Sequence, residues 1–164
     1  MKTRWGVGLL LLAAVLAPMA QAAGGVVLSP EALFAALGQQ PTRVYALEDG
    51  KGWLFSTPGR DMWDESKDDP EGGPHFSVEY RGKPLSRISL AVQQFEDDPE
   101  QQANNARVGS LFAKAIEAIT GSGEVMGQLE SGRISGKMAG FVNGYRITAS
   151  PASGGARFVT LYRE

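Results

Sequence analysis

At Asp98 the spacing of apolar residues in this chain changes from every second position to a helical period. Upstream, Phe76, Val78 and Tyr80 alternate with Ser77, Glu79 and Arg81, and Ile88, Leu90 and Val92 alternate with Arg87, Ser89, Ala91 and Gln93. Such alternation places the apolar set on one face of a strand. A Gly-Lys-Pro turn at 82–84 separates the two runs, so the segment predicts a half-buried antiparallel hairpin. Downstream, Asp98-Pro99-Glu100-Gln101 joins a capping aspartate, a first-turn proline and a glutamine at the capping-box position. Val108, Leu111, Phe112, Ala115, Ile116 and Ile119 then share one helical face, and Gly121 supplies a stop. A long helix over 99–120 is expected to pack on the apolar face of strands.

Similar reasoning extends to both sides. Ser29-Pro30-Glu31 reads as an N-cap, a first-turn proline and an early acid, with Leu33, Phe34 and Leu37 on one face and Gly38 as a stop, which predicts a short helix. Residues 43–47 and 53–56 are rich in β-formers around Asp49-Gly50 and read as a hairpin. In the last third Gly132, Gly136, Gly140 and Gly144 recur four apart. As a helix they would form the small-residue face used between membrane helices. As a strand they would alternate with Ile134, Met138 and Val142. Four glycines cost a helix on the order of 4 kcal/mol against alanine, and Asn143-Gly144 is a strong hairpin turn, so a strand is expected. Close packing of another element, the 99–120 helix first of all, would explain its glycines. Residues 124–130 should open this meander, and 145–149 and 156–162 continue it. The expected fold is α+β in two layers: a mainly antiparallel sheet of about six to eight strands with one long and one short helix packed on it.

The first 22 residues have the form of an export signal. Lys2 and Arg4 precede an apolar run from Trp5 to Leu16, Pro18 breaks the run, and Ala20-Gln21-Ala22 offers a small-x-small cleavage site. The run falls short of the roughly 20 apolar residues of a membrane span. Cleavage there leaves residues 23–164 as a single domain, exported to the periplasm or medium of a bacterium, with no stable membrane span. The chain has no cysteine, which excludes both disulfides and a lipid-bearing cysteine at the cleavage point. Loss of Lys2 and Arg4 takes the net charge from −2 to −4, which argues against nucleic acid as a partner. Residues 23–100 carry 7 basic and 14 acidic side chains, residues 101–164 carry 7 and 4.

Catalytic motifs are scarce. One histidine and no thiol leave little from which to build a zinc centre, and neither a metal nor another cofactor is expected. Gly132-Arg133-Ile134-Ser135-Gly136 has its serine one place late for a nucleophile elbow. Gly136-Lys137 is followed by methionine where a phosphate loop needs Ser or Thr. Gly121, Gly123 and Gly127 follow a helix and miss the dinucleotide spacing.

Potential ligand-binding residues gather in the long acidic loop at 57–74, beyond ordinary loop length and with three prolines between 58 and 74. Asp61, Asp64, Glu65, Asp68, Asp69 and Glu71 could surround calcium, although the EF-hand spacing is absent and Lys67 sits among them. Trp63, flanked by acids, suits either a binding site or an anchor for the loop. Trp53, Phe55 and Tyr80 lie near it in the sequence and read as exposed aromatics. His75 could serve as a general base with a loop carboxylate, although a strand-edge role without chemistry is the commoner one. The candidate binding residues are therefore Trp63, Asp61, Asp64, Glu65, His75 and Tyr80. The sequence favours an exported, non-catalytic binding or accessory protein that recognises a protein or an envelope component. Two alternatives stand beside it: a carboxylate-dependent hydrolase built on 61–75, and a membrane-active or assembly protein using the 132–144 glycine repeat.

Overall fold

The computed structural model describes residues 29–57, 72–95, 97–150 and 153–163. Residues 1–28 and most of the acidic loop, with Asp61, Trp63, Asp64 and Glu65, lie outside these residues. The elements in chain order are α1 (Pro30–Leu37), β1 (Arg43–Leu47), β2 (Gly50–Phe55), β3 (His75–Arg81), β4 (Arg87–Gln93), a 3-10 turn (Pro99–Gln101) running into α2 (Gln102–Thr120), α3 (Glu124–Glu130), β5 (Gly140–Val142), β6 (Tyr145–Ala149) and β7 (Ala156–Arg163). All seven strands join one antiparallel sheet in the order β1-β2-β3-β4-β7-β6-β5. The expected α+β architecture is therefore present, as an open sheet with its helices on one face.

The alternation fixes that face. Phe76, Val78 and Tyr80 of β3 pair across to Val92, Leu90 and Ile88 of β4, and all six are buried. β7, the last strand, enters beside β4 and carries the inward row on through Val159 and Leu161. α2 lies over β3 and β4, with Val108, Phe112, Ala115 and Ile116 turned inward. α1 packs on α2 and supplies Leu33, Phe34 and Leu37. Its cap is as the sequence reads: Ser29 Oγ accepts from the Ala32 N–H at 3.2 Å, and Gly38 closes the helix at φ +67°.

Two polar anchors position α2. Asn105, on its first turn, accepts from the Phe95 N–H at 2.8 Å and donates to the Phe95 carbonyl at 2.9 Å, as a neighbouring strand would. At the other end Asn143 donates its amide to the Thr120 carbonyl, joining the β5–β6 turn to the last turn of α2. That turn has Asn143 at φ +49° and Gly144 at φ +82°, the left-handed pair that a two-residue hairpin requires.

Three expectations are corrected. Residues 124–130 form α3 and not a strand, because Val125, Met126 and Leu129 fall at i, i+1 and i+4 and share a helical face, with Val125 fully buried. The expected strand over 132–144 exists only from Gly140; residues 131–139 are turns and bends, tied by the Ile134 N–H to the Gln128 carbonyl and the Ser135 N–H to the Met138 carbonyl. Ile134 is 2 % exposed and Met138 55 %, so the two do not share a face, and Gly132 at φ +71° is a stop to α3. The occupant of the glycine space is not α2: a Cβ on Gly140 would overlap Ile134.

Candidate functional site

Of the sequence candidates, His75 and Tyr80 fall among the described residues. His75 opens β3 on the sheet face away from the helices, half-buried, its Nδ1 donating to the Gly73 carbonyl at 3.0 Å. Tyr80 is five residues on and faces the opposite way, into the core. Its ring meets Trp53 edge-on with centroids 5.5 Å apart, and burial pushes its phenol well above the ordinary tyrosine range, which keeps it neutral. The fold therefore does not bring His75 and Tyr80 together.

The exposed-aromatic reading of Trp53, Phe55 and Tyr80 is also corrected. Trp53 and Phe55 alternate with Gly52 and Leu54 along β2, and this register turns both rings toward α1 and α2. There they form a chain of edge contacts: Phe34 against Trp53 at 5.7 Å, Phe34 against Phe55 at 5.9 Å, and Phe76 against Phe112 at 6.3 Å. Such pairs add about 0.5–1.5 kcal/mol each beyond their burial. They serve as core.

Among the described residues the open face carries a polar constellation built around Glu79. It accepts from the Tyr45 hydroxyl at 3.1 Å and from Arg81 Nε at 2.9 Å, while Arg81 also reaches Asp49 at 3.1 Å. The Tyr45 ring lies across Gly52, where any side chain would collide with it. Burial, and then the Glu79 charge, push the Tyr45 phenol up to about 12. These groups satisfy one another, which suits a strand-pairing role more than a reaction. Among the described residues no group of three or more Asp, Glu or His is gathered as a metal ion would need, and no helix is long and apolar enough to cross a membrane.

The site that sequence reasoning missed lies under α3. This helix has only seven residues and packs mainly on α2, so it stands off the strands below it. The gap is a cavity of about 280 Å³ walled by Phe112, Met126, Leu129, Ile134, Ala149 and Val159. Ile134 and Val159 are each 2 % exposed and form its floor. Glu130, Ser135, Ser150 and Arg157 bring polar groups to its edge. A volume near the lower end of ordinary ligand pockets, an apolar lining and a few polar groups at the edge are the properties of a small-molecule site. The signal for it in the sequence was the helical spacing of Val125, Met126 and Leu129, which reading 124–130 as a strand concealed.

Comparison of the chain with protein-family models, with curated proteins and with solved structures returns no match. The cavity and its charged edge are therefore the ground for a functional reading.

Proposed function

We propose that this chain is an exported, non-catalytic binding protein that recognises a component of the cell envelope by seating an apolar group of it in the cavity between α3 and the β6–β7 strands. The observation that carries the reading is the cavity itself: six apolar side chains from five separate segments border space that the described residues do not fill. The pocket opens to solvent along its polar edge, and apolar walls with a few polar groups at the mouth suit an apolar group entering from water. The leader-like residues 1–22 support delivery to the envelope, where molecules with apolar groups are abundant.

The test uses the purified chain and N-phenyl-1-naphthylamine, a neutral apolar dye whose fluorescence rises on leaving water. Wild type should take up the dye and release it to decan-1-ol. Ala149→Phe places a ring in the cavity from the end of β6 and should abolish uptake while far-ultraviolet circular dichroism stays unchanged. Dye uptake that survives in folded Ala149→Phe protein would move the binding elsewhere, and absence of uptake by wild type would remove the reading.

A further inference from the structure

Arg157 stands where the pattern of its strand calls for an apolar residue. In β7 the inward positions run Arg157, Val159 and Leu161, and pairing with Val92 of β4 puts Arg157 on the helix side of the sheet. Val159 and Leu161 are buried core, whereas Arg157 is exposed at the edge of the cavity. Among the described residues neither Arg157 nor Glu130, the acid at the same edge, makes an ion pair. The 131–139 segment that walls the cavity adds positive charge, since Arg133 and Lys137 are exposed on it and it carries no acid.

Resting on the reading above, we infer that the ligand is an anionic single-chain amphipath, its alkyl chain in the cavity and its carboxylate or phosphate head on the Arg157 guanidinium. At about 30 Å³ per water-sized group, the 280 Å³ cavity accommodates a chain of roughly nine non-hydrogen atoms. The fork of arginine donors matches both head groups.

Displacement of N-phenyl-1-naphthylamine from the full chain, at low salt and below micelle concentrations, tests this. The ligands are alkanoates, alkan-1-ols and alkylammonium ions of six to twelve carbons. Affinity should rise about fourfold per methylene and level off when the cavity is full, near nine or ten carbons. At equal length the alkanoate should bind about fivefold more tightly than the alcohol, as expected for an ion pair at a water-accessible edge, and the ammonium ion should bind least tightly. Arg157→Gln should abolish the preference for the anion and leave alcohol affinity within about twofold, while Glu130→Gln should strengthen alkanoate binding. Decyl phosphate run beside decanoate tells a phospholipid-type head from a fatty-acid head, and preference for either over decan-1-ol supports the inference.

Alcohol and alkanoate binding equally well to wild type would overturn the inference and leave the apolar site standing. An anion preference that survives in Arg157→Gln would overturn it as well. A leucine-ended peptide acid that displaces the dye where decanoate does not would replace the amphipath with a peptide terminus. If none of these compounds competes, both readings fail.

Discussion

Replacing Gly140 measures how tightly the cavity wall is built. A Cβ there would overlap Cδ1 and Cγ1 of Ile134, and Ile134, 2 % exposed, can yield only by moving into the cavity or lifting α3. Overfilling a packed site costs about 1–3 kcal/mol, while the stiffer unfolded chain of alanine returns about 0.4–1 kcal/mol. Gly140 has no positive φ, so alanine meets no backbone penalty. The expected net loss is about 1 kcal/mol for Gly140→Ala and about 2 kcal/mol for Gly140→Val, whose extra methyls also meet Ile134. Ile134→Ala alone should cost about 2–3 kcal/mol, low in the range for such truncations because the site already borders an open pocket. In the double variant Gly140→Ala with Ile134→Ala, the new Cβ enters space the isoleucine has left, so the losses should fall short of their sum by about 1 kcal/mol. The assay is urea unfolding followed by circular dichroism, with thermal melts beside it. At roughly 3–5 °C per kcal/mol for a domain of this size, Gly140→Ala should lower Tm by about that amount in wild type and by almost nothing in the Ile134→Ala background. Strictly additive losses would refute the contact, and with it the account of how residues 131–139 are held over the cavity.

Two further outcomes are expected. Asn105→Ala strands the Phe95 N–H and carbonyl and should cost about 2 kcal/mol, given about 1–3 kcal/mol per unpaired buried group and the partial exposure here; a urea midpoint unchanged from wild type would show that water replaces the amide. The Tyr45 phenol is raised from 10.0 to about 12 in the folded chain, so its contribution is complete below pH 10 and is lost as pH rises through about 12. Stability measured across that interval should fall less steeply in Tyr45→Phe, and an identical slope would place the alkaline loss elsewhere.

The strands of the first half and the long helix were legible because each carries its own period. Ser77 and Glu79 cannot share a face with Phe76 and Val78, and Pro99 and Gly121 bound α2 by local chemistry. β2 was only half legible: Trp53, Leu54 and Phe55 are all apolar and all buried, so alternation could not say which rings face the helices. The pairing of Trp53 with Val78 decides it. The glycine repeat misled because its even spacing suggested one continuous element, whereas residues 131–139 are turns and bends and only Gly140–Val142 is strand. The chain uses its glycines one by one: Gly132 for a left-handed stop, Gly140 for the space Ile134 needs and Gly144 for the hairpin turn.

From the residues alone came the two layers, the antiparallel sheet and the helix that covers it, since periodicity and end signals act over a few neighbours. The cavity and its charged edge belong to tertiary structure. Phe112, Leu129, Ala149 and Arg157 come from three helices and strands apart in sequence and from the strand that closes the fold. They meet because β7 inserts between β4 and β6 and because α3 is too short to seal the strands beneath it. The size of a gap between elements depends on how their lengths and offsets combine, a sum over long-range contacts that no local pattern of residues encodes.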